Sequence, residues 1–111
     1  MKKLLLLLIG LLLAFDAHAV FMDGKKLLRF CQRYETSPSA EGVYCSGYVA
    51  AVMDVMKEDP ISGWKACTTG VAIDQAVRVV TKFLGDHPEL LNYYGSSLTA
   101  SALSEAFPCK Q

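Results

Sequence analysis

The stretch Val43-Tyr44-Cys45-Ser46-Gly47-Tyr48-Val49-Ala50-Ala51-Val52-Met53-Asp54-Val55-Met56 decides how this chain folds. Tyr44, Tyr48, Ala51, Val52 and Val55 recur at steps of three and four, and Cys45, Val49, Val52 and Met56 form a second row beside them. A segment apolar over more than half of its circumference at that period is a helix touched by neighbours on several sides. The reading is a central helix in a small bundle. Gly47 stands one turn before Ala51, and two small residues there would let another helix come close. Core packing accounts for the whole stretch, and Cys45 alone has a separate chemistry.

The N-terminus has a different character. Lys2 and Lys3 precede an apolar run from Leu4 to Phe15, followed by Ala17-His18-Ala19. A basic start, a short leucine-rich core and small residues at the first and third positions of that triplet read as a secretory signal peptide, cut after Ala19. A bilayer span takes roughly 20 apolar residues, so the run is short for one. The division is therefore a signal peptide over 1–19 and one helical domain over 20–111, exported through or into an oxidising compartment. Removal of the leader takes Lys2, Lys3 and Asp16, and turns a formally neutral chain into one that is slightly acidic. That balance argues against nucleic acid as a partner and offers nothing to hold a membrane surface once the leader is gone.

A core this small is marginal without covalent help. The help is four cysteines, Cys31, Cys45, Cys67 and Cys109, all in the mature region. An even count in a small exported chain is a disulfide framework. Ligands for a metal are lacking, since the sequence has no Cys-x-x-Cys pair and His87 is the last histidine after processing. Three pairings are open at this point.

The rest of the chain supplies the bundle. A first mature helix starts near Asp23 and runs to about Arg33, with Leu27, Leu28 and Cys31 on one face. Lys25, Arg29 and Arg33, with Lys26 beside them, line the other as a basic stripe, which reads either as a solvated face or as a docking surface for an acidic partner. Glu35 to Gly42 is a loop around Ser37-Pro38-Ser39. The central helix stops before Asp59-Pro60, leaving Glu58 and Asp59 as solvated acids at its end. The following connection holds Trp64, a plug for the end of the core or a contact residue. A third helix begins between Thr69 and Ala72, turns Ile73, Ala76, Val77, Val80, Phe83 and Leu84 inward, and stops at Gly85. Asp86-His87-Pro88-Glu89 is then a tight corner in which Asp86 caps the next helix and Glu89 completes a capping box. The fourth helix is expected over about Pro88 to Ala106, burying Leu91, Tyr94, Leu98 and Ala102.

The fold class is thus all-α, a bundle of four main helices stapled by two disulfides. A hairpin of the last two helices brings Cys67 to Cys109, and the turn between the first two brings Cys31 to Cys45. Each closure contributes about 3 to 4 kcal/mol in the loop-entropy account.

Catalytic groups are sparse. With the cysteines oxidised no thiolate remains, and His87 reads as a corner residue with no obvious carboxylate or serine partner. The expected function is binding, with no enzyme activity and no cofactor.

Taken together, Phe21-x-x-Gly24-x-x-Leu27-x-x-x-Cys31, Cys45-x-Gly47-Tyr48-Val49, Cys67 with Gly70-Val71, His87-Pro88-Glu89 and Ala106-Phe107-Pro108-Cys109 resemble the Rap/Tai family of type VI secretion immunity proteins. Those are periplasmic helical proteins that protect a bacterium from peptidoglycan amidase toxins of its siblings. The resemblance covers essentially the whole mature chain. It implies a partner, the cognate amidase effector, whose active-site cleft is covered, and it implies a homodimer. Members tend to have a proline soon after the third cysteine and a threonine capping the third helix with a glutamine. Here Thr68 and Thr69 follow Cys67, and Ala72 stands three residues before Gln75.

Blocking a cleft needs something convex, and the corner Gly85, Asp86, His87, Pro88 and Glu89 is the candidate, flanked by Asn92 and Tyr93. The competing reading makes the corner structural, because His87-Pro88-Glu89 belongs to the family pattern. A periplasmic acid-stress chaperone is the alternative function, opposed by two disulfides that resist opening. A thiol oxidoreductase lacks its Cys-x-x-Cys.

Overall fold

The computed structural model describes residues 1–12, 21–36 and 38–110. Its helices are α1 (Lys2–Leu12), α2 (Gly24–Thr36), α3 (Ala40–Glu58), α4 (Ile73–Asp86) and α5 (Gly95–Ala106), with one turn of 3₁₀ helix over Pro88–Leu90. Among the described residues there is no strand, only isolated bridges joining Asp23 to Tyr94 and Ile61 to Trp64. The bundle is α2 to α5. The cut after Ala19 lies outside the described residues.

α3 is the central helix, in contact with α2, α4 and α5. It starts three residues earlier than its apolar pattern, because Ser39 accepts a hydrogen bond from the Gly42 N–H at 3.1 Å and caps the first turn. The connection from α2 shrinks accordingly. Of the two apolar rows, only Cys45, Val49, Val52 and Met56 lie in the core, joined by Met53. Tyr44, Val55 and Val43 stay half or more exposed, at 51%, 50% and 70%. Part of the apolar circumference of α3 therefore stays exposed among the described residues.

Among the described residues, Gly47 has no atom within 4 Å of the position a Cβ would take, so no described helix approaches there. The close approach is at Gly42, where a Cβ would stand 2.9 Å from Tyr34 Cα and 3.1 Å from the Arg33 carbonyl oxygen. The obstacle is backbone, which cannot swing aside. Gly42→Ala is expected to destabilise by about 1 to 3 kcal/mol through overpacking. Gly47→Ala on the same helix should stabilise by up to about 1 kcal/mol, the intrinsic preference of alanine over glycine. Chemical denaturation of the two variants checks the opposite signs.

α4 buries Ala76, Val77, Val80, Phe83 and Leu84, as its period predicts, and leaves Ile73 half-buried at its start. It passes through Gly85 and ends at Asp86. The approach to it differs from a threonine-capped start. Thr68 is buried, its carbonyl accepts from the Val71 N–H at 3.0 Å, and Gly70 takes φ +81° to make the turn. Ala72 then stands at the N-cap with no side-chain hydrogen bond.

The largest departure is at the last helix, which begins at Gly95 rather than Pro88. The first N–H groups of a helix need outside acceptors. Gly24 and Lys25 find theirs in the carbonyls of Tyr93 and Leu91, at 3.1 and 3.2 Å, and Gly95 N–H donates to the Met22 carbonyl at 2.9 Å. Residues 91–94 are thereby turned towards the start of α2 and cannot continue a helix. Tyr94 is left 60% exposed, against expectation, while Leu98 and Ala102 are buried. Asp23 caps α2 as expected, accepting from the Lys26 N–H at 2.8 Å.

Both disulfides join the expected partners. Cys31 pairs with Cys45 and Cys67 with Cys109, closing sequence separations of 14 and 42 residues. The first is buried, with its cysteines 1% and 0% exposed. The second lies nearer the surface, where the Cys67 N–H also donates to the Phe107 carbonyl at 2.9 Å. Trp64 is no plug: it is 46% exposed on a hairpin with Ile61 whose central residues, Ser62 and Gly63, both have positive φ.

Candidate functional site

The corner between α4 and α5 is an exposed segment whose parts have separate roles. Phe83, at the base, is buried. One turn on, the His87 ring stacks on it with centroids 4.3 Å apart, and His87 Nδ1 lies 2.8 Å from the Phe83 carbonyl oxygen. A carbonyl can only accept, so Nδ1 carries a proton and donates it to that oxygen. No serine hydroxyl or carboxylate bonds to the ring among the described residues, and the arrangement fixes the corner rather than activating a nucleophile.

Gly85, Asp86, Pro88 and Glu89 are exposed around this anchor, and Asn92 and Tyr93 are exposed beyond it. The structure thus brings the expected corner residues into one exposed run with Asn92 and Tyr93 at its far end. The capping box does not form. Asp86 pairs instead with Lys82 four residues before it, at 2.5 Å, and no side chain caps the 3₁₀ turn. The hydrogen bond from Lys82 and its charge hold the Asp86 carboxyl below the usual carboxylate range and raise the lysine in turn. A groove of about 260 Å³ opens beside the corner, lined by Val79, Phe83, Ala102 and Ala106 with Lys82, Asp86, His87 and Glu105. It is wide enough for one partner side chain.

The basic stripe divides. Arg33 lies 3.7 Å from Glu41, whereas Lys25, Lys26 and Arg29 have no carboxylate within 4.0 Å among the described residues. Lys26 and Arg29 both stand over the Phe30 ring, at 5.7 and 5.6 Å from its centroid. Phe30 in turn meets Tyr44 edge-on at 5.4 Å, and Tyr44 stacks with Tyr48 at 6.4 Å. The sequence reading missed this cluster because it assigned Tyr44 and Tyr48 to the core. The available signal was an apolar arc on α3 wider than so small a core can cover.

No group of His, Cys, Asp and Glu among the described residues is placed to hold a metal ion. No described helix is long and apolar enough to cross a membrane.

A family model describing Rap1a immunity proteins matches residues 23–109. The chain belongs to the Rap1a immunity protein family. The match takes in α2 to α5, both disulfides and the whole corner. An immunity protein has a toxin for its partner and works by inhibiting it, so the functional site of this Rap1a chain is a protein-binding surface. No curated protein matches the chain.

Proposed function

We propose that this chain is a periplasmic immunity protein that binds and blocks a cognate peptidoglycan amidase delivered by a type VI secretion system. The match to Rap1a immunity proteins across residues 23–109 carries the reading. Export is supported by the basic, leucine-rich start: Leu4, Leu5, Leu6 and Leu7 are 61 to 70% exposed on α1, as in a leader that takes no part in the fold. Two disulfides fit an oxidising compartment.

The corner from Gly85 to Glu89, with Asn92 and Tyr93 beside it, is the part that enters the amidase cleft. It is exposed and anchored by His87 on Phe83, and the side chains of Glu89 and Tyr93 make no hydrogen bond among the described residues. A rigid projection loses little entropy on docking. The protein works as a homodimer, as the family resemblance implies.

The test is survival. Cells producing a periplasm-directed type VI amidase are expected to lyse alone, to survive with the full chain, and to lyse with a form lacking residues 1–19. Lysis with the full chain for every amidase of a representative panel would reject the function. Survival with the leaderless form would reject the location.

A further inference from the structure

We infer that Lys26, Arg29, Phe30, Tyr44 and Tyr48 form a second contact surface, which takes an acidic ridge with an apolar centre on the toxin. The inference rests on the reading of the chain as an amidase inhibitor and adds a site to it. Three observations converge. The aromatic side chains form one connected group, Phe30 to Tyr44 to Tyr48, in which each ring is held by the next. Tyr44 stays 51% exposed. Aromatic rings left at a surface but fixed in place give contact area at small entropic cost, and with arginine they are the residue types that dominate binding hot spots.

The charge identifies the occupant. In a chain of zero formal net charge, Lys25, Lys26 and Arg29 crowd the first turns of α2, with no carboxylate within 4.0 Å of any of them among the described residues. Asp23 beside them uses its carboxylate to accept from the Lys26 N–H. Lys26 and Arg29 lie over Phe30, so both cations are directed to the aromatic patch rather than dispersed along the helix. A surface of this kind repels basic partners and attracts one whose acidic groups surround an apolar centre.

The surface is also joined to the corner. The carbonyls of Leu91 and Tyr93, which follow the corner, accept from the N–H groups of Lys25 and Gly24 at the start of α2. The two surfaces are thus held by backbone, and one partner can touch both. In such a pair the corner governs how long the complex lasts, and the cationic patch governs how fast it forms.

The experiment uses a catalytically dead form of the amidase that the full chain protects against, with binding kinetics measured across a range of salt. K26E/R29E is expected to slow association about tenfold or more at low salt and to flatten its salt dependence. Tyr44→Ala should raise Kd about tenfold, with Tyr44→Phe close to the parent. If the double reversal lowers the melting temperature, Arg29→Gln carries the same comparison. Unchanged rates and salt dependence, with binding by the parent intact, would overturn the second surface and leave the inhibitor reading standing. Loss of co-sedimentation with purified peptidoglycan, with amidase kinetics unaltered, would overturn it in favour of a glycan ligand. A chain that protects against no amidase removes both readings together.

Discussion

In excess reductant the mature protein is expected to lose its cooperative melting transition, and alkylation stopped early should label Cys67 and Cys109 before Cys31 and Cys45. The size of the effect follows from the loops. Closures spanning 14 and 42 residues restrict the unfolded chain by about 3 and 4 kcal/mol respectively. A domain of this size has a total stability on the order of 5 to 13 kcal/mol, so losing both removes about half of it or more. The order follows from access. A thiolate must reach sulfur, and Cys31 and Cys45 are 1% and 0% exposed while Cys67 is exposed and Cys109 half-buried. A species with only Cys67 and Cys109 labelled should keep its helical signal, since α2 and α3 remain stapled. Mass spectrometry of alkylated peptides beside circular dichroism checks both statements. Simultaneous labelling of all four would mean that the bundle opens as a whole before either bond is reduced.

The sequence revealed the bundle because its helices are defined by local periods. α4 is the clearest case: Ala76, Val77, Val80, Phe83 and Leu84 fall at steps of one, three and four, and all of them are buried. The disulfide pairing was equally legible, since a hairpin leaves little choice about which ends meet. What a period cannot state is which apolar face finds a neighbour. On α3 the row with Cys45 and Val49 is covered, whereas Tyr44 and Val55 are not. The same limit applies to Gly47 and Gly42, identical on the page and opposite in space, one open and one pressed on the backbone of Tyr34.

Two other departures arose from interactions between distant or competing groups. α5 starts late because the orphan N–H groups of Gly24 and Lys25 draw on carbonyls some 70 residues later in the chain. Asp86 fails to cap the next turn because Lys82, one turn back, offers a charged partner on the same helix face. The capping signature was present, and an ion pair at i,i+4 displaced it. Trp64 departs for a local reason, since Ser62 at φ 51° and Gly63 at φ 82° form a tight hairpin that leaves the indole 46% exposed.

The corner can be separated into fold and function by substitution. E89R/Y93A is expected to weaken amidase binding about a hundredfold while the melting temperature stays within about 4 °C. Both side chains are exposed and make no hydrogen bond among the described residues, and exposed changes of that kind usually alter stability by less than about 0.5 kcal/mol. Truncating a side chain that fills a partner's pocket costs about 2 kcal/mol or more, and two such losses give the hundredfold figure even if they are only partly additive. His87→Ala should behave differently. It removes the stack on Phe83 and the hydrogen bond to the Phe83 carbonyl, so the melting temperature falls together with affinity. If E89R/Y93A bound like the parent and only His87→Ala weakened binding in proportion to its loss of stability, the corner would be a structural turn and the cleft-blocking surface would lie elsewhere. The contrast matters because a single corner mutant cannot tell a residue that shapes the projection from one that touches the toxin. Comparing affinity with melting temperature residue by residue makes that distinction.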